Sequence, residues 1–207
     1  MSAATARRGS LPDVGRAVAA ALVATVLLLA VPAAPAYAQP FEEIGLIEGT
    51  IDGEPRTWYA LSYRDDEGTV DGTAHYQIWF ERMFDLEIQA HPEPRFAVEG
   101  TLSVRGSSWD GVPSDCPCVL NDPEVSYWSG SSMFDDVYMI DHDAPDVDVT
   151  LDLFEPVGDD AYRAEGSFRA VLFRYAGFLD EADLDDSLTV EGTFTIERVL
   201  LLDLDLE

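Results

Sequence analysis

The chain has no lysine, and this absence sets the electrostatics of the whole molecule. Its 207 residues contain 12 arginines against 40 aspartates and glutamates, which gives a formal net charge of −28. A surface this acidic repels phosphate backbones and anionic lipid headgroups and attracts cations. We therefore expect neither nucleic acid nor an anionic membrane surface among the partners.

The chain also lacks an apolar run as long as an ordinary transmembrane helix, which needs about 20 residues. The longest run, Ala17–Val31, has 15 residues; three arginines lie among residues 7–16 before it, and the triplet Ala36-Tyr37-Ala38, with a small residue at each end, follows it. This order is typical of a secretory signal peptide over residues 1–38, with cleavage near Ala38. We predict an exported protein (periplasmic, on the cell surface or secreted), with a retained membrane anchor as the alternative.

The acidity belongs to the predicted exported part, residues 39–207, which holds 39 of the carboxylates and nine arginines. Carboxylates in such excess destabilise a fold by repulsion, and molar salt removes most of this cost by shortening the screening length to about 3 Å. The composition favours a halophilic protein adapted to a saline exterior. The alternative is an ordinary acidic secreted protein that its charge keeps soluble. A length of 169 residues without a low-complexity linker predicts a single domain.

Helical periodicity is scarce, and a period of two residues dominates. Apolar residues alternate with Asp, Thr or Glu along Val147–Leu153 and Leu188–Ile196, as in half-buried strands. Only Phe178–Leu184 is predicted as a short helical turn. Turn signals separate eight further β-rich runs: Ile44–Ile51, Arg56–Tyr63, Ala74–Phe80, Phe84–Ala90, Phe96–Val104, Val125–Ser129, Val137–Ile140 and Tyr162–Tyr175. The chain is therefore predicted to be all-β: a single-domain antiparallel β-sandwich of jelly-roll or Greek-key type, or a closed barrel, of about 8–10 strands.

A short echo of the form apolar-Glu-Gly-Thr/Ser-apolar recurs around Gly49, Gly100, Gly166 and Gly192 at unequal spacings. Glycine inside a strand marks a bulge, a bend or the close approach of another backbone. We interpret the four glycines as bending points that let long strands curl around one core. The alternative is a ring of glycines that lines a pocket.

Cysteine is nearly absent, since Cys116 and Cys118 are the only two. Cysteines of exported proteins tend to be oxidised, and a pair one residue apart can bond only within a tight turn. Turn-forming residues flank the pair, so we predict a local disulfide between Cys116 and Cys118. A thiolate metal pair, a redox dithiol and an intermolecular bond are the alternatives.

Acidic clusters are abundant, and most are expected to be solvated faces. The loop that carries Asp141, Asp143, Asp146 and Asp148 is the best candidate for a cation site. Calcium prefers six to eight oxygen ligands, often from loop carboxylates and carbonyls. We therefore predict calcium as the one cofactor to consider, although the loop does not match the EF-hand pattern.

Recognisable catalytic motifs are missing. The sequence has no Gly-x-Ser-x-Gly elbow, no His-Glu-x-x-His and no phosphate-binding glycine-rich loop, and it has only three histidines. Paired carboxylates could serve glycoside hydrolysis, but with so many carboxylates no pair stands out. We predict no catalytic residues, and a secreted hydrolase is a lesser alternative.

Aromatic residues offer the best candidate binding site. Trp109, Tyr127 and Trp128 flank the cysteine loop among Gly, Ser, Asp and Asn residues, a setting typical of stacking on sugars or peptides. The alternative is that they cover one end of the fold. We predict a non-enzymatic exported binding module for an extracellular glycan, peptide or envelope ligand. A structural or adhesive envelope protein, whose apolar run Val199–Leu206 pairs with a partner sheet, is the alternative; a small outer-membrane barrel is a weaker one.

Overall fold

A computed structural model describes residues 41–64, 70–80, 82–132, 136–143, 145–158, 161–176 and 181–202. Within these ranges all regular secondary structure is strand, which confirms the all-β prediction. No helix in the described ranges is long and apolar enough to cross a membrane. The strands are β1 (Glu42–Ile51), β2 (Glu54–Arg64), β3 (Val70–Gly72), β4 (Ala74–Trp79), β5 (Met83–Ala90), β6 (Leu102–Ser108), β7 (Cys118–Val119), β8 (Asn121–Trp128), β9 (Val137–Met139), β10 (Val147–Pro156), β11 (Ala161–Tyr175) and β12 (Asp183–Leu201).

The strands form one hydrogen-bonded sheet in the order β3-β2-β1-β12-β4-β5-β6-β8-β9-β11-β10-β7. Because β12 also pairs with β11, the seven strands from β12 through β4, β5, β6, β8, β9 and β11 close into a ring. All named pairings are antiparallel except a short parallel one, in which Leu200 and Leu201 of β12 lie opposite His75 and Tyr76 of β4. The sheet therefore encloses one core.

The alternating pattern places one side of each strand in that core. Along β12, Leu188, Val190, Phe194 and Ile196 are buried, whereas the acidic and hydroxyl residues between them face outward. Most of the predicted strands are present within a few residues of their expected ends. The predicted helical turn Phe178–Leu184 is wrong where it can be checked: residues 178–180 lie outside the described residues, and β12 begins at Asp183.

The predicted strand Phe96–Val104 is also wrong in its first half. Residues 92–101 form a bent connection between β5 and β6, and Gly100 has a φ of +81°. That left-handed conformation suits glycine and interrupts a strand. Phe96 is consequently exposed.

The other three echo glycines do lie in strands, on the face shared with their apolar neighbours. Gly49 of β1 lies directly opposite Gly192 of β12, and the Phe168 ring approaches the position of a Gly192 Cβ to 3.2 Å. Gly166 of β11 lies opposite Phe194, whose ring covers it. The glycines thus make room for aromatic rings and for a neighbouring backbone.

Candidate functional site

Two cavities lie on the outward face of β5, β6 and β8, a third adjoins them between β8 and the segment after β9, and we call the three together the polar groove. Their volumes are about 440, 300 and 190 Å³, and Glu124 lines all three. Arg105 lines the two cavities over the strands, and His142 lines the two beside the loop after β9. The groove therefore has a floor of strands and one wall of loop.

Strand register builds the floor. Arg105 of β6 lies opposite Glu87 of β5 on one side and opposite Glu124 of β8 on the other. Since side chains alternate across a strand, Val104 and Val125 turn into the core while these charged residues turn outward. A row of charges alternating in sign thus crosses the sheet.

Asp85 is the only carboxylate among the described residues that is buried, with 7% of its surface exposed. Arg105 donates to it twice, from Nη2 to Oδ2 at 2.7 Å and from Nε to Oδ1 at 3.3 Å, and Gln77 Nε2 donates to Oδ2 at 3.1 Å. The hydrogen bond to Asp85 raises the pKa of Arg105, against the opposing effect of burial. This fork-shaped contact fixes the guanidinium plane over the groove floor.

The remaining charges of the row pair more loosely. Arg105 Nη1 is 3.8 Å from Glu124 Oε2, and His75 Nε2 is 3.6 Å from Glu87 Oε2. The side chain of Arg105 is 44% exposed, so part of the guanidinium remains accessible from solvent. The groove can therefore offer hydrogen-bond donors and acceptors side by side.

The three predicted aromatic site residues are not brought together. Trp128 lines the 300 Å³ cavity of the groove, together with Met139 and Ile140. Tyr127, the next residue along β8, packs against the core, and burial raises its pKa. Trp109 follows the opposite end of β6, more than about 20 Å along the strands from Trp128.

Trp109 instead belongs to an apolar tip that consists of Ile78, Phe80 and Trp109. Phe80 is 91% exposed with a φ of +51°, and Trp109 is 58% exposed. The turn after β6 lies beside the β4–β5 hairpin, since Phe84 pairs with Ser108 next to Trp109. The tip is a second exposed surface, separate from Trp128.

The predicted calcium loop does not gather its carboxylates in the part of the chain that is described. Asp146 accepts a hydrogen bond from Arg169 at 3.0 Å, and Asp141 Oδ1 accepts one from the backbone of Asp143 at 2.9 Å. Asp148 is exposed on β10. The described residues contain no group of three or more Asp, Glu, His or Cys that could hold a metal ion. A calcium site at this loop stays a prediction.

The predicted disulfide is not formed in this structure. Cys116 and Cys118 are free thiols whose Sγ atoms are 3.8 Å apart, whereas a disulfide requires about 2.05 Å. Cys118 is held in β7 by pairing with Leu151 of β10, which fixes one side of the pair. Burial and the neighbouring thiol raise the pKa of Cys116 to about 11, so the group is a thiol at neutral pH.

His91 is a buried titratable residue that the sequence analysis did not single out. It has no exposed surface, its Nδ1 lies 2.8 Å from the Ala97 carbonyl oxygen, and its ring contacts that of Phe96 with centroids 4.7 Å apart. Its Nε2 is buried without a hydrogen-bond partner among the described residues. Burial lowers the pKa of His91, which keeps the ring neutral in the fold.

The polar groove is thus the surface where fixed charges, hydroxyls and an aromatic side chain meet around a concave space. No protein-family model, curated protein or solved structure matches the chain.

Proposed function

We propose that the protein is an exported, non-enzymatic binding module whose extracellular ligand occupies the polar groove. The observation that carries this proposal is the buried Asp85, which holds Arg105 in a fixed orientation in the groove floor. Burying a charge costs several kcal/mol unless it is well paired. Among the described residues Asp85 is the one carboxylate that is buried and paired in this way, and it lines one of the cavities of the groove.

The composition of the groove also supports binding. Small-molecule sites are concave and combine apolar or aromatic surface with a few precisely held polar groups. The apolar and aromatic surface comes from Trp128, Met139 and Ile140, and the polar groups are those of Arg105 and Glu124. Cavities of about 300 and 440 Å³ reach the lower part of the size range of ligand sites.

The hydrogen bonds of Asp85 support a function in binding and not in catalysis. Asp85 accepts three hydrogen bonds, two of them from Arg105, so taking a proton would break the contact that fixes the guanidinium. A general base must instead have a lone pair directed at its substrate. Asp85 is therefore a positioning residue for Arg105.

Adhesion is the second candidate function, and the apolar tip favours it. Ile78, Phe80 and Trp109 expose apolar surface at one end of the sheet, which is the usual character of a contact surface. The C-terminal run no longer supports adhesion over its described part. There Val199 is fully buried and Leu200 pairs with both β11 and β4.

Two single substitutions separate the two functions. The exported part, residues 39–207, is passed over immobilised glycans, peptides and envelope fractions in molar salt. If the groove binds, Trp128→Ala loses retention and Trp109→Ala keeps it. Retention that is lost with Trp109→Ala and kept with Trp128→Ala assigns the contact to the apolar tip and refutes the groove.

A further inference from the structure

We infer that the polar groove takes an uncharged sugar chain, in which one ring stacks on Trp128 and the neighbouring rings are hydrogen-bonded by Arg105 and Glu124. This inference rests on the proposed binding function and names the chemical class of the ligand. It follows from how the charges of the groove are already paired and from which ligand groups remain compatible with them.

Anionic ligands are disfavoured by the lining. Four carboxylates line the groove, and Arg105 is the one arginine among its described lining residues. The carboxylates are those of Asp85, Glu87, Asp122 and Glu124. The Arg105 guanidinium already donates its Nε hydrogen and one of its two Nη2 hydrogens to Asp85. A carboxylate, sulfate or phosphate ligand would face uncompensated repulsion there.

Cationic ligands are disfavoured because Arg105 already occupies the cation position. In register it lies directly between Glu87 and Glu124, and its Nη2 is 2.7 Å from Asp85. A second cation in the same row would meet a guanidinium at the centre of the carboxylates. In a saline exterior its attraction to the more distant carboxylates would also be screened within about 3 Å.

Ligand hydroxyl groups suit the hydrogen-bonding groups of Arg105 and Glu124 that are still available. A sugar hydroxyl donates and accepts at once, so it can donate to Glu124 and accept from the exposed edge of Arg105. Ser103 and Ser126, which are cross-strand partners on the same face, add two more hydroxyls beside Trp128. Stacking of an apolar ring face on indole does not depend on charge and survives in concentrated salt.

The shape of the groove fits the same class. The Trp128 cavity of about 300 Å³ opens beside two others that share Glu124 with it. Contiguous cavities suit a chain of linked rings, with one ring on Trp128 and its neighbours over Arg105 and against the wall that contains His142.

The test is calorimetric titration of the exported part in 2 M NaCl with cellohexaose, maltohexaose and mannohexaose as neutral probes. Hexagalacturonate and hexalysine are the anionic and cationic probes. We expect at least one neutral probe to bind, Trp128→Ala to weaken that binding at least tenfold, and Trp128→Phe, which keeps a stacking face, to restore most of it. Trp109→Ala is the matched control and should bind as the wild type does. Thermal melts of each variant establish that it is folded.

Each other result counts against the inference in a defined way. Binding of hexalysine or hexagalacturonate that depends on Trp128, without neutral binding, overturns the sugar class and leaves the groove as a binding site. The sugar class also fails if no neutral probe or immobilised glycan binds while Trp128→Ala still abolishes retention on the immobilised peptides or envelope fractions. If Trp128→Ala binds the probes and is retained on the panel as the wild type is, both the sugar class and the proposed function are refuted.

Discussion

The close contact between Gly166 of β11 and the Phe194 ring of β12 leads to a quantitative prediction. An ideal Cβ at Gly166 would overlap the Phe194 Cζ atom and the Thr150 carbonyl oxygen, and would lie 2.9 Å from Phe194 Cε1. Phe194 is almost fully buried, so its ring has no free space to move into. We therefore expect Gly166→Ala to be strongly destabilising.

The magnitude follows from two opposing effects. Overpacking a core costs about 1–3 kcal/mol, and this site lies at the upper end because a backbone oxygen in a paired strand cannot move aside. Replacing glycine by alanine stabilises the fold by about 0.4–1 kcal/mol, because alanine lowers the conformational entropy of the unfolded chain. The net loss is about 2 kcal/mol, which for a domain of this size lowers the melting temperature by about 4–8 °C.

Circular dichroism melts of the exported part measure this shift, with Gly158→Ala as the matched control. A Cβ at Gly158 would have no atom within 4 Å of it, and the residue has no positive φ, so this variant should melt at the wild-type temperature or up to about 4 °C above it. Adding Phe194→Leu to Gly166→Ala should recover part of the loss, because one of the two overlaps disappears. A Gly166→Ala protein that melts with the wild type would show that the β11–β12 register is wrong.

Three further perturbations test the groove, the buried histidine and the charge. Arg105→Met leaves Asp85 buried without the Arg105 guanidinium and should lower the free energy of unfolding in urea by about 2 kcal/mol. The control Arg56→Met removes only an exposed pair with Glu54 and should lower it by less than about 0.5 kcal/mol. Equal losses would contradict the role of Asp85. Because burial lowers the pKa of His91, the unfolded state binds the extra proton first, so the contribution of His91 to stability should be fully present above about pH 6.5 and be lost as the pH falls below that value. His91→Gln should flatten this slope, and an unchanged slope would assign it to other groups. Raising NaCl from 10 mM to 2 M should increase the urea midpoint, and a constant midpoint would rule out adaptation to salt.

Local sequence patterns located most of the strands but not their partners. Along β11 and β12 the alternation of apolar and polar residues reflects a real half-buried surface; β11 was predicted to within one residue, and β12 only over its central part, Leu188–Ile196. The run Phe96–Val104 has a similar apolar content but follows Pro92 and Pro94 and contains Gly100 at a φ of +81°. Backbone conformation there outweighs side-chain pattern.

The candidate site shows the same limit more sharply. Trp128 could be selected from sequence because it lies beside polar turn residues, but Trp109 has the same neighbours and lies at the far end of the ladder. Asp85 and Arg105 were missed altogether, since they are 20 residues apart and meet only through the β5–β6 register. Register is a long-range property, and no local period reports it.

The acidity that dominates the composition also hides the one carboxylate with an unusual environment among the described residues. Thirty-nine carboxylates in the predicted exported part make charge itself uninformative, because an exposed carboxylate costs little wherever it lies. Burial is informative, because a buried ion pair is usually no more stabilising than a pair of well-packed apolar side chains of the same size. Stability alone therefore gives no reason to keep Asp85 and Arg105 where Leu or Met would pack. What the pair does provide is a guanidinium with a fixed plane in the cavity that Trp128 also lines, and that is the property on which the proposed binding function depends.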